Sequence, residues 1–319
     1  MERYWSAAYW AGPESSGDPR LPTRRANVVV GPVSRLLQVE EAVLVAGRDS
    51  VARVDLATLQ ARPLLRVTPQ QRCFNALVFD AAQNAVLVGA EDGSIVALRP
   101  GAEAEEADEE NAPLFFEPLD GQGAAILDLA ASASFVFAAL ANGTVLAIDR
   151  DSRSVAWRFN LRRGEVDSGT SDAAAAAAAS VSPGAFRATV VRVDPSGKWL
   201  LCGAGGNAGA NKEGGFLSVW HAETREAVSV MPLRSCPSGA AWLRGAVICC
   251  GAENALYQYD LRGQLQAWSL TESLSECWDV AVHAHPEDIV GAAIAVGGAG
   301  SEVLVFTAVG RKPMRFQTN

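Results

Sequence analysis

Short apolar runs alternate with short polar turns along most of this chain, and one phrase recurs. It reads apolar run, small residue, acidic or amide residue, turn, apolar run. The clearest copies are Val88-Gly89-Ala90-Glu91-Asp92-Gly93-Ser94-Ile95-Val96 and Cys250-Gly251-Ala252-Glu253-Asn254-Ala255-Leu256-Tyr257. Looser copies start at Val45, Ala138 and Val296. Asp and Asn accept turn backbone, and a Gly after them adopts left-handed backbone without steric cost. Two apolar segments around such a pair predict a β-hairpin. Recurrence every ~40–50 residues predicts the blades of a propeller.

The strand-turn-strand rhythm divides into six blades, at about 33–67, 74–119, 125–160, 187–233, 238–270 and 277–317. The fold class expected is therefore all-β, a WD40 β-propeller. The fourth blade carries Val193-Asp194-Pro195-Ser196-Gly197-Lys198-Trp199, an Asp-Pro-Ser-Gly turn between apolar strands, which is typical of WD repeats. The Trp-Asp position of such repeats is held by Val54-Asp55, Ile148-Asp149, Trp220-His221, Tyr259-Asp260 and Val305-Phe306. The aromatic member is expected to fill space between blades, and the Asp to satisfy turn groups nearby. Residues 1–26, polar and Pro/Gly-rich, read as a disordered arm, and 27–319 as a single propeller, with Asn27 to Val30 as a candidate closing strand. Two segments interrupt it. An acidic loop spans 101–112, read as solvated. An alanine-rich insertion spans 163–186, including Ala173 to Ala179, read as low-complexity and mobile.

Composition narrows the function. Hydrophobic residues make up 49% of the 319, enough for a large core. The formal net charge is -9, a poor match for a chain that would bind nucleic acid by neutralising phosphates. The best basic cluster, Arg153, Arg158, Arg162 and Arg163, reads as a solvated blade edge, so RNA contact is expected only indirectly. Six cysteines show no CxxC or Cys/His spacing, which fits free thiols in a reducing compartment. No signal peptide and no membrane span is expected.

Candidate chemistry is sparse. His283-Ala284-His285 could put two rings on one strand face, but Pro286 and Glu287 follow and no further ligand is arranged locally. His221 and these two read as surface or turn histidines. The Gly-rich stretch Gly203 to Gly215 resembles a phosphate loop only in composition, because Lys212 is followed by Glu213. Glu40-Glu41 and Glu287-Asp288 read as solvated turns. Neither a nucleophile elbow nor an HExxH motif occurs. No catalytic residue, cofactor or metal is expected. One surface constellation remains: Tyr259-Asp260-Leu261-Arg262 resembles the Trp-Asp-x-Arg box by which some propellers dock on the DDB1 adaptor of cullin-4 ubiquitin ligases, with Tyr in place of Trp. Its structural alternative is an Asp260–Arg262 pairing at a strand end.

The second half carries a more specific likeness. The ordered series Phe216-Leu217-Ser218-Val219-Trp220-His221, Met231-Pro232-Leu233-Arg234, Ala246 to Ala252, Tyr257 to Leu265 and Val303 to Arg311 resembles the sixth-subunit family of the THO complex, best over 188–311. That resemblance implies a WD40 propeller in a nuclear THO/TREX assembly that couples transcription and splicing to mRNA export. It implies a non-catalytic scaffold, packed on coiled-coil subunits. The family pattern looks seven-bladed; here only a Pro-rich arm precedes the blade at 33–67, so the first blade reads as degenerate or missing. The alternative role is a substrate receptor of a cullin-4 ligase.

Overall fold

The computed structural model describes residues 33–39, 42–47, 50–58, 60–66, 73–99, 114–118, 123–162, 165–167, 186–206, 214–284, 292–299 and 302–317. Among them every regular element is a β-strand. Six antiparallel sheets form, each a meander of consecutive strands, and the fold is a six-bladed β-propeller. Asn27 to Val30, the arm, the acidic loop and the alanine run lie outside the described residues.

The chain divides into two compact units, 1–123 with 318–319, and 124–317. The first unit holds two sheets. One is β1 (Val33–Val39), β2 (Ala42–Gly47), β3 (Ser50–Asp55) and β4 (Ala61–Arg66). The other is β5 (Phe74–Asp80), β6 (Ala85–Ala90), β7 (Ile95–Leu98) and β8 (Leu114–Phe116). Leu44, Ala46, Leu65, Phe74, Val86 and Val88 fill the space between them.

The second unit holds four sheets. The third sheet of the chain is β9 (Ile126–Ala131), β10 (Phe135–Leu140), β11 (Thr144–Asp149) and β12 (Val155–Arg162), extended by β13 (Glu165–Asp167). That fifth strand falls at the start of the stretch expected as an insertion. The fourth is β14 (Arg187–Val193), β15 (Trp199–Gly205), β16 (Phe216–His221) and β17 (Ala227–Pro232). The fifth is β18 (Pro237–Leu243), β19 (Ala246–Gly251), β20 (Ala255–Asp260) and β21 (Leu265–Leu270). The sixth is β22 (Cys277–Ala284), β23 (Ala292–Gly298), β24 (Glu302–Phe306) and β25 (Met314–Gln317).

The second strands read as unbroken apolar runs because both of their faces are covered. Every residue of β6 and of β19 is buried. Alternation returns only toward the outer strands, where one face meets water. Between the third and fourth sheets the Trp220 ring sits 4.2 Å from Phe159, and Phe159 stacks on Trp157 at 5.5 Å. The Trp220 indole N–H donates to Ser218 Oγ at 2.9 Å, which satisfies its one polar atom inside the core. Trp220 is the aromatic expected to fill space between blades, and it does.

The turns follow the residue chemistry. Asp55 Oδ1 accepts from the N–H groups of Ala57 and Thr58, and Asp149 Oδ1 from that of Ser152. Asp260 Oδ1 accepts from the N–H groups of Arg262 and Gln264, both at 2.9 Å. These bonds hold the Asp55 and Asp149 carboxyls below the ordinary carboxylate range. In the fourth sheet His221 replaces the Asp, and its Nδ1 accepts the Thr224 N–H at 3.2 Å. Asp92 and Asn142 accept from Ser94 and Thr144, and the glycines that follow them take φ of 85° and 84°.

A bulge sits at the start of the first strand of every sheet, where the register to the second strand skips Ser34, Asn75, Leu127, Thr189, Ser238 and Trp278. In the second unit this region ties neighbouring sheets together. The Val191 N–H donates to Asp128 Oδ2 at 2.9 Å, joining the third and fourth sheets. Thr189 Oγ1 donates to Pro237 O at 2.6 Å, joining the fourth and fifth. Ser238 Oγ donates to Cys277 O at 2.6 Å, joining the fifth and sixth. The Arg192 guanidinium pairs with Asp128, whose side chain is 3% exposed, and reaches Asp279 Oδ1 at 4.0 Å. Burial lowers the Arg192 pKa, but the two carboxylates outweigh it and hold the group above its usual value.

Removing Asp128 takes the nearest carboxylate from a guanidinium that is largely buried and the acceptor from the Val191 N–H. Asp128→Ala is expected to destabilise the fold by about 3 kcal/mol, measured by denaturant unfolding. Adding Arg192→Met should recover part of that loss. A cost for Asp128→Ala under about 1 kcal/mol would show that the pair holds nothing.

Candidate docking surface

The turn from β20 to β21 carries the residues singled out in the sequence. Tyr259 is 6% exposed, and its hydroxyl donates to Pro232 O of the neighbouring β17 at 3.2 Å. Asp260 is occupied by the N–H groups of its own turn. Asp260 therefore engages Arg262 through the backbone of Arg262. The Arg262 side chain is exposed at the tip of the turn. The structure brings the three residues together in one turn but gives them different duties: Tyr259 packs, Asp260 shapes, and Arg262 faces solvent.

The remaining sequence candidates scatter. Arg153 and Arg158 are exposed, on a turn and on β12, while Arg163 lies outside the described residues. His283 is exposed on β22, and His285 lies outside the described residues. The glycine-rich stretch has a packing reason at its two ends. A Cβ on Gly205 would meet Cys236 Sγ at 2.5 Å, and one on Gly215 would meet Pro237 Cδ at 2.5 Å. The glycines let the fourth sheet approach the first residues of the fifth. Cys202, Cys249, Cys250 and Cys277 are buried, and burial pushes their thiols up, away from the reactive thiolate.

The surface feature that local motif reading missed lies on the outer strands of the fourth and fifth sheets. Val228 and Val230 of β17 are exposed. On β21, Leu265 is 51%, Trp268 54% and Leu270 49% exposed. Register puts Leu265 opposite Tyr259, Trp268 opposite Tyr257 and Leu270 opposite Ala255, so all three share the face that carries the two tyrosines. The Tyr257 and Tyr259 rings lie 6.3 Å apart. Neither Ala227–Pro232 nor Leu265–Leu270 contains a charged residue. Of the other outward strands, β4 and β25 carry Arg, β12 carries Arg and is covered by β13, and β8 is an uncharged run of three residues. Charge on an outer strand discourages unwanted pairing. That contrast is readable in the sequence once the strands are assigned. Contiguous exposed apolar surface marks an interaction site. Among the described residues, no group of three or more His, Cys, Asp or Glu side chains is placed to hold a metal ion.

No family model matches this sequence. A stretch of 134 residues, 42% of this chain, is 26% identical to THO complex subunit 6 of Arabidopsis thaliana. The match spans 32% of that relative's length. Among solved structures, the crystal structure of the computationally designed Ika8 protein superposes with a TM-score of 0.57 at 16% identity, covering 90% of this chain and 73% of that one. That likeness is one of fold alone.

The tyrosines give the surface a pH signature. Burial, then the Cys249 thiol and the Glu253 carboxylate, push Tyr259 up to about 12. Burial and Glu253 push Tyr257 up to about 12 as well, against Arg234. An unfolded phenol ionises near pH 10. Between about pH 10 and 12 the folded state therefore holds protons that the unfolded state has lost, and stability falls as pH rises. Unfolding midpoints measured from pH 9 to 12 should drop across that window, and less steeply in Tyr259→Phe. Identical slopes in the two proteins would contradict this assignment.

Proposed function

We propose that this chain is a non-catalytic WD-repeat scaffold subunit of a nuclear assembly of the THO/TREX type, acting in mRNA processing and export. The observation that carries this reading is the 134-residue match to THO complex subunit 6. The propeller fold supports it, because stacked sheets present rigid faces and rims to other macromolecules. The exposed, uncharged outer strands of the fourth and fifth sheets supply a surface suited to protein partners, including coiled-coil subunits. The negative net charge favours indirect engagement of RNA through those partners. Purification of the tagged full-length protein from nuclear extract should recover other THO subunits. Folded protein that recovers none would overturn the reading.

A second reading is a substrate receptor of a cullin-4 ubiquitin ligase, held through the DDB1 adaptor. One observation favours it: Arg262 is exposed at the tip of a turn whose backbone Asp260 fixes. Arg262→Ala should then abolish capture of the purified adaptor, with stability unchanged. Capture at the wild-type level by that variant would remove this reading.

A further inference from the structure

We infer that the outer edge of β21 is completed by an extended segment of a protein partner, paired antiparallel along Trp268–Leu270. The inference rests on the docking-platform reading above and says which strand is used and how. Main-chain directions follow from one bond. The Thr271 N–H donates to Asn254 O of the residue preceding β20, at 2.8 Å. Strand groups alternate in direction with period two, so Ser269 and Ala267 also face β20. The N–H and C=O groups of Trp268 and Leu270 therefore face outward. Their side chains lie on the tyrosine-bearing face, exposed, beside half-buried Tyr257.

The third sheet shows what covers such an edge in this fold. There the chain itself supplies β13, which pairs antiparallel with β12 through Asn160–Asp167, Leu161–Val166 and Arg162–Glu165. The outer strands β4 and β25 carry arginines that oppose pairing, and uncharged β8 is only three residues long, too short an edge for a partner strand. The edge of β17 is blunted by Pro232. The Leu233 N–H bonds inward to Gly215 O, so Pro232 stands at an outward position and offers no donor. By contrast β21 has no charge and no proline, and it keeps both outward donors.

The occupant's chemistry follows from the same geometry. Main-chain hydrogen bonds give the affinity of such pairing, and alternate side chains give the specificity. The segment is apolar at the positions that lie beside Trp268 and Leu270. It runs antiparallel, so its C-terminal end lies near Arg262, where an acidic residue complements the exposed guanidinium.

The test compares two variants of tagged full-length protein for retention of the THO-type subunits that the wild type recovers. Leu270→Ala removes the side chain and keeps the outward N–H; Leu270→Pro removes both and leaves the ladder to β20 intact. Retention should fall about tenfold further for Leu270→Pro than for Leu270→Ala, the effect of one unmade main-chain bond. Because proline could unsettle the strand, amide hydrogen exchange of the wild type provides a second measurement. The Trp268 and Leu270 amides should exchange fast in the isolated chain and at least about tenfold slower in the assembly. Equal retention by the two variants, or unchanged exchange at those amides, overturns this inference alone. Wild-type protein that retains no subunit overturns the platform reading and this inference with it.

Discussion

None of these sheets can stand alone, because its middle strands are apolar on both faces. Residues such as those of β6 and β19 have no solvent-facing side, so each sheet is stable only when its neighbours cover it. Everything else in the second unit serves that constraint. Trp220 fills the gap to the third sheet, and the Tyr259 hydroxyl ties the fifth sheet to the fourth. Thr189, Ser238 and Asp128 tie first strands in series through main-chain groups of the neighbouring strands. Apolar stacking is non-directional, whereas these bonds and the Arg192 pair have a single geometry. They fix how one sheet is set against the next.

The same constraint explains where function is displayed. Inner and middle strands are consumed by packing, so partners can meet only faces, turns and outer strands. Protection of the outer strands is uneven. Arginine on β4, β12 and β25, and the added β13, contrast with the uncharged, apolar and exposed β21. Among the described outer strands, β21 is the longest that carries neither charge nor proline.

The fold was legible because its signals are local. The short apolar runs, the Asp-Gly and Asn-Gly turns and the strand-end Asp residues each state a piece of one blade, and six sheets fall where six were expected. Asp55, Asp149 and Asp260 play the turn role that their position suggests, and His221 performs it with a ring nitrogen. The docking surface was less legible, because it depends on which strands end outermost and which face they show. Tyr259 reads as a surface residue in a linear motif, yet its ring is buried by packing against the fourth sheet. The Asp128–Arg192 pair spans a long sequence gap and has no local signature at all. The glycines around Gly205 and Gly215 look like a ligand loop in composition, but close approach of Cys236 and Pro237 accounts for two of them.

The most direct measurement of the central claim is site-specific photo-cross-linking of the full-length protein in nuclear extract. A photoreactive residue in place of Gln266, exposed on β21, should trap subunits of a THO-type assembly. The same residue in place of Ser152, exposed on the turn before β12, should trap few or none. Equal trapping from both positions, or trapping only from Ser152, would contradict a platform whose working side is the outer edge of the fifth sheet.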